Sequence, residues 1–196
     1  MYVAAVFLPL VGSLIAGMLV FVKHGLRQNI DEKTKNRIDL ASQIVTCTSM
    51  LLAGAASALV FLGVNVYALS PDIELFSWVS SGLLKFSWAL KGDTLSVLMV
   101  LMVNVVSTMI HIYSIGYMQI DKSIPRFMAY LSLFTFFMLM LVSANNLVQM
   151  FFGWEGVGLA SYLLIGFWYD RASANAAAIK AFIVNRVGDV GFALGI

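Results

Sequence analysis

Thirty-two consecutive residues, 40–71, carry no formal charge, and 28 more, 127–154, carry none either. An amphipathic helix of a soluble protein brings polar and charged residues back on every turn or two. A bilayer core about 30 Å thick asks instead for about 20 consecutive apolar residues per helix. The composition agrees: 61% of residues are hydrophobic and 11% charged, against about 25% charged in a typical soluble domain. Lipid offers no partner for backbone N–H and C=O groups, so apolar runs of this length must be helices. The fold expected is an all-α polytopic membrane protein. The first apolar run is not a secretory signal, because no basic residue precedes it and its basic cluster follows it.

Charge and turn residues divide the chain into about six transmembrane helices: 2–22, 40–66, 93–115, 127–143, 147–169 and 174 to the end. Short charged loops fall at 23–39, 116–126 and 170–173, and a polar turn at 144–146. The connection 67–92 alternates in character around Ser80, Ser81 and Gly82. It reads as a short β-hairpin on the membrane surface, with Trp78 and Trp88 in the interfacial belt. An irregular loop carrying interfacial aromatics fits the same residues. Three segments follow: 1–66 with two helices, 67–126 with the hairpin or loop and the third helix, and 127–196 with helices four to six.

Eight Lys and Arg residues lie in the loops after the odd-numbered spans: Lys23, Arg27, Lys33, Lys35, Arg37, Lys122, Arg126 and Arg171. The loops after the even-numbered spans hold Lys85 and Lys91. The positive-inside rule then puts the N-terminus outside, and the 67–92 connection with it. The one cysteine, Cys47, can form no internal disulfide and no metal cluster. There is no phosphate-binding glycine loop, and nothing points to nucleic acid. His24 and His111 are the only histidines. They do not make a haem pair, so no redox chemistry is expected within the chain.

Four ionisable groups fall inside spans: Glu155, Lys180, Arg186 and Asp189. A charge at mid-bilayer costs roughly 2.5–3.5 kcal/mol on insertion scales, so these groups should face protein or water and pair. Glu155 lies near the centre of the fifth span, with Phe151, Phe152, Gly158 and Leu159 one turn away and no cation on its own helix. Small residues around it (Gly153, Gly156, Gly158, Ala160 and Ser161) permit close helix packing. Such a carboxylate suits proton uptake and release; a structural hydrogen-bonding role is the other reading. Arg186 and Asp189, at i and i+3, can pair on one face, with Asn185 alongside. That pair is read either as self-neutralising or as part of a proton path. Lys180 lies roughly opposite Asp189 on the helical wheel, and either snorkels to the surface or joins the site. His111, near one end of the third span, is read first as a satisfied hydrogen-bonding group.

The stretches GWEGVGLASYLLIGFWY at 153–169 and KAFIVNRVGDVGFALGI at 180–196 resemble one known family. So do MYVAAVFLPLVGSLIAG at the start, HIYSIGYM from His111, and PRFMAYLSLFTFFMLMLV from Pro125. The family is the antiporter-like subunit of proton-pumping NADH:quinone oxidoreductase, respiratory complex I, termed subunit L in bacteria and subunit 5 in mitochondria. The resemblance covers nearly the whole chain, most weakly at 23–39 and 67–92. It implies proton translocation coupled to electron transfer. It implies that Glu155 is the essential mid-membrane glutamate of the fifth helix, and that Arg186 and Asp189 are the charged pair of the sixth. The lysine that the family pairs with the glutamate belongs to a seventh helix, beyond Ile196. On this reading the chain is the truncated N-terminal portion of the subunit and does not pump alone. NADH, FMN, iron–sulfur clusters and quinone would belong to other subunits. The expected partners are the lipid bilayer and other membrane-arm subunits, above all the neighbouring antiporter-like one. The wording of the motifs favours a bacterial inner membrane, with the mitochondrial inner membrane as the alternative. A Mrp-type cation/proton antiporter subunit and a non-pumping structural fragment are the competing functions.

Overall fold

The structure, a computed structural model, describes residues 1–25, 31–67, 72–81 and 84–196. It contains six helices: α1 (Tyr2–Gly25), α2 (Glu32–Tyr67), α3 (Thr94–Tyr117), α4 (Ile124–Val142), α5 (Leu147–Ile165) and α6 (Ala172–Gly195). The first five are long and apolar enough to cross a membrane. The sixth is not among them, because Lys180, Arg186 and Asp189 interrupt its apolar character. It packs along α5 all the same.

One boundary differs markedly from the sequence reading. Half of the expected 23–39 loop is helix, since α2 starts at Glu32 and runs for 36 residues. At 1.5 Å per residue that is about 54 Å, well beyond the bilayer core. Lys33, Lys35 and Arg37 are good helix formers, and Glu32 complements the positive helix N-terminus. The charged turns therefore continue the span out of the membrane. Lys23 Nζ lies 2.5 Å from Asp39 Oδ1 and donates to Lys122 O at 2.9 Å. Those contacts tie α1, α2 and the α3–α4 connection together. Arg27 and Gly82 lie outside the described residues.

The hairpin is present, as β1 (Ile73–Ser81) and β2 (Leu84–Leu90) paired antiparallel, with Ile73 opposite Leu90 and Phe76 opposite Trp88. The strand persists through Ser81, so Ser80 and Ser81 belong to β1. The Trp88 ring sits 5.2 Å from Trp78 and 4.9 Å from Phe152 of α5. Backbone groups of β2 bind the bundle directly. Ala89 N–H donates to Gln149 Oε1 at 3.1 Å, and Asn146 Nδ2 donates to Ser87 O at 2.8 Å. Just beyond, Lys91 N–H donates to Ser143 O at 2.9 Å, and Tyr2 Oη donates to Lys91 O at 2.6 Å. The hairpin, the start of α1 and the α4–α5 turn thus close one end of the bundle. The Lys/Arg-rich connections lie at the other.

Local chemistry starts the helices where they start. Asp93 caps α3 by accepting from Ser96 N–H at 2.8 Å, and Asn146 caps α5 by accepting from Gln149 N–H at 2.9 Å. Hydrogen bonds from Ser96, with Lys91 nearby, hold the Asp93 carboxyl below the usual carboxylate range. A carboxyl with a depressed folded-state pKa adds stability above its unfolded pKa, and that contribution is lost as the pH falls through the folded value. The α3 cap is therefore intact at neutral pH and lost in acid. Pro125 occupies the first turn of α4, where its missing N–H has no intrahelical partner to lose.

Helix α4 is the hub, packed against α1, α2, α3 and α5. Its apolar contacts gather Tyr2, Ala5 and Val6 of α1, Val97 and Val100 of α3, and Phe136, Leu139 and Met140 of α4. A polar stripe runs beside this cluster: Asn104, Ser107, His111 and Ser114 of α3 are all buried. His111 is fully buried and fully satisfied. Its Nδ1 lies 2.8 Å from Ser107 O, which can only accept, and its Nε2 lies 3.0 Å from Ser132 Oγ of α4. Nδ1–H therefore donates to the Ser107 carbonyl, and Nε2 shares a second hydrogen bond with the Ser132 hydroxyl. Ser107 Oγ meets Thr135 Oγ1 at 2.6 Å. His111 is an interhelical pin between α3 and α4.

Two predictions follow from this packing. A Cβ on Gly153 would lie 2.6 Å from the Leu141 backbone nitrogen, which cannot swing aside. Gly153→Ala should therefore force α5 off α4 and cost about 1–3 kcal/mol, read as a lower thermal midpoint in detergent. Gly17→Ala, with nothing within 4 Å of the added carbon, should leave that midpoint unchanged. Replacing His111 with Leu removes the interhelical hydrogen bond and leaves the buried Ser132 hydroxyl without its α3 partner, which should cost about 1–3 kcal/mol. An undiminished midpoint for His111→Leu would refute the pin.

Candidate functional site

The four intramembrane charges do not all meet. Glu155 of α5 forms an ion pair with Arg186 of α6, Oε2 to Nη1. The same Nη1 lies 3.6 Å from Asp189 Oδ2, one turn further along α6. One guanidinium is therefore shared by two carboxylates. Asp189 is the more buried, its side chain 9% exposed against 23% for Glu155 and 44% for Arg186. Its other oxygen accepts from Trp154 Nε1 at 2.8 Å. The Arg186 guanidinium also lies over the Phe182 ring, 4.6 Å from its centroid. Every heteroatom of Asp189 thus has a partner, and Arg186 is held from three sides.

Lys180 is not part of this cluster. It is exposed on α6 and makes no ion pair among the described residues. It lies two turns before Arg186, toward the Lys/Arg-rich end, which fits the snorkelling alternative. His111 belongs to the α3–α4 interface described above.

The glycines have separate jobs. Gly153 and Gly156 face α4, where Leu141 and Phe137 fill the space a side chain would take. They bring α4 close, but Glu155 does not point there. It projects toward α6, where Gly158 has the Asn185 amide nitrogen 3.7 Å from the position of its missing Cβ. Sequence spacing gave the Arg186–Asp189 pair but not its reach to Glu155, which needs the crossing of α5 and α6. It also missed Trp154 and Phe182. Trp154 carried a faint signal, as a polar-tipped ring within an apolar span beside a carboxylate, where an N–H needs an acceptor.

The arrangement places one permanently charged guanidinium between two carboxylates on different helices. Among the described residues no group of three or more His, Cys, Asp or Glu is placed to hold a metal ion.

Two family models match. Residues 78–128 match NADH-ubiquinone oxidoreductase (complex I), chain 5 N-terminus, and residues 144–196 match the NADH:quinone oxidoreductase/Mrp antiporter transmembrane family. Over its whole length the chain is 48% identical to NADH-ubiquinone oxidoreductase chain 5 of Chondrus crispus. It is 49% identical over 194 residues to NADH-quinone oxidoreductase subunit L of Rickettsia bellii, and 50% over 195 residues to that of Rhodobacter capsulatus. Those matches take in 96–100% of this chain but 25–28% of each relative, so the chain spans about a quarter of their length. Its fold resembles part of the membrane-bound sulfane sulfur reductase, an archaeal respiratory membrane complex, with a TM-score of 0.72 at 16% identity. That likeness covers all of this chain and 36% of the other. The chain is a multi-pass membrane protein, and it belongs to the subunit L/chain 5 family of NADH:quinone oxidoreductase, matching its N-terminal part.

Proposed function

We propose that this chain supplies part of a proton-translocating path in NADH:quinone oxidoreductase, with Glu155 as the proton-exchanging group. The observation that carries the proposal is the shared guanidinium. Arg186 contacts Glu155 and stands 3.6 Å from Asp189, so a small displacement exchanges one carboxylate for the other. Arg186 on Glu155 favours the anion there. Withdrawn toward Asp189, it leaves Glu155 in an apolar span without a cation, and the carboxyl then gains affinity for a proton.

The magnitudes are adequate. Moving one charge through 100 mV takes about 2.3 kcal/mol, and a change of about two pKa units is worth about 2.7 kcal/mol. The energy would come from electron transfer between NADH and quinone, carried by FMN and iron–sulfur clusters in other subunits. The chain itself does no redox chemistry in this scheme. Residues 127–196 begin the translocating segment, and a lysine of a later helix completes the switch. The Lys/Arg-rich end faces the cytoplasm or its mitochondrial equivalent. A neighbouring antiporter-like subunit is the natural membrane-arm partner.

The family model at 144–196 is common to Mrp antiporters, which gives a second reading, a secondary cation/proton antiporter. It predicts proton transport that persists without NADH or quinone. The model matched at 78–128 is that of complex I chain 5 and favours the first. Glu155→Gln keeps the shape and removes the proton site. In the full-length subunit within its assembled complex, it should lower proton pumping in sealed vesicles about tenfold or more while the complex still assembles. Undiminished pumping by the assembled variant would sink the proposal.

A further inference from the structure

Among the described residues, Glu155 and Asp189 each take one hydrogen bond from the opposite helix, and the two donors differ in kind. Glu155 of α5 accepts from the Arg186 guanidinium of α6. Asp189 of α6 accepts from the Trp154 indole of α5, at 2.8 Å. The other contact of Asp189, with Arg186 Nη1 at 3.6 Å, is too long for a hydrogen bond. The indole is therefore what supplies Asp189 with a hydrogen bond, and the guanidinium is what supplies Glu155.

Helix geometry sets up this exchange of partners. Trp154 and Glu155 are consecutive, so their side chains leave α5 about 100° apart. Arg186 and Asp189 are three apart and share a face of α6. That face meets both α5 side chains, guanidinium on carboxylate and carboxylate on indole. The indole is also held at its ring. Phe192, three residues beyond Asp189, lies 6.0 Å from the Trp154 ring at 86° and 5.6 Å from the Phe151 ring at 80°. Helix α6 thus grips Trp154 twice, at the N–H through Asp189 and at the ring through Phe192.

The two donors are not equivalent. An indole N–H makes one hydrogen bond and can only donate, whereas a guanidinium carries five N–H groups and can serve either carboxylate. Asp189 is the more buried carboxylate, 9% exposed against 23% for Glu155, so a missing donor costs more there. Were the indole N–H absent, Arg186 would have to approach Asp189 by only about 0.8 Å to reach the distance of a charge-assisted hydrogen bond.

We propose that Trp154 is a positioning residue: by satisfying Asp189, its N–H leaves the Arg186 guanidinium to Glu155. Trp154 acts through Asp189 and Arg186. The effect on transport rests on the role given to Glu155 above, whereas the placement of Arg186 does not.

The test removes the N–H and keeps the ring. In the full-length subunit within its assembled complex, 3-benzothienylalanine at position 154 retains the fused ring against Phe192 and puts sulfur where the N–H was. Trp154→Phe is the second variant. A cryo-EM map of either complex should show the guanidinium within hydrogen-bond distance of Asp189 and out of contact with Glu155, with the crossing of α5 and α6 unchanged. Proton pumping per NADH oxidised in sealed vesicles should fall about tenfold, the worth of one hydrogen bond to a charged group. A tryptophan that only fills space would leave Arg186 on Glu155 in the benzothienyl variant, and that result overturns the proposal. Transfer of Arg186 to Asp189 with undiminished pumping would uphold the positioning and overturn the role of Glu155 instead, so the two failures are told apart.

Discussion

A polar group inside an apolar bilayer must find its partner within the protein or in a pocket that admits water. Nearly every feature of this chain is an answer to that constraint. The backbone answers by forming helices. The hydroxyls of Thr46, Thr48, Ser114, Thr135 and Ser143 answer by bonding carbonyls one turn back on their own helices. His111 answers with both ring nitrogens, one to its own helix and one to α4. Much of what looks like a scatter of polar residues through apolar spans is a set of local hydrogen bonds, with Asn104 Oδ1 and Gln149 Nε2 left unpartnered among the described residues. The ones that join two helices also fix which helices are neighbours.

The charges obey the same constraint with higher stakes, because an unpaired ion costs far more than an unpaired hydroxyl. Glu155 has no cation on its own helix, so α6 must cross it with Arg186 at the right level. Asp189 then faces Arg186 from one turn further along α6, and Trp154 donates to the other oxygen of Asp189. Two carboxylates thus share one guanidinium inside the span, and the contact that joins α5 to α6 is an ionic one.

Much of this was legible in the sequence, for definite physical reasons. Charge-free runs of 28 and 32 residues admit hardly any other fold, and strand-like alternation at 73–79 and 86–90 made a hairpin one of two readings, which the pairing of β1 with β2 decides. The extension of α2 back to Glu32 was not legible. Charged residues normally mark where a span stops, and only helix propensity hints that Lys33, Lys35 and Arg37 continue it above the membrane. The site divided along the same line. Arg186 and Asp189 share a helix, so their spacing declared the pair. The contact from Arg186 to Glu155 joins positions 31 apart and depends on the level at which α5 and α6 cross, which no local pattern encodes. The same local view grouped all the glycines of α5 around Glu155, although two of them serve α4.

The two ends of the bundle differ in kind, and that difference gives the site a direction. At the hairpin end, backbone groups of β2 are bonded to α5 and to the α4–α5 turn, and Trp88 packs against Phe152. That end is closed by hydrogen bonds already made and by interlocked rings. At the opposite end the side chains are cationic, aromatic and amide-bearing, and they surround open space rather than filling it. Under the role proposed above, Glu155 lies between an end closed by hydrogen bonds and an end that is open at its surface, so the cluster is asymmetric along the bundle axis.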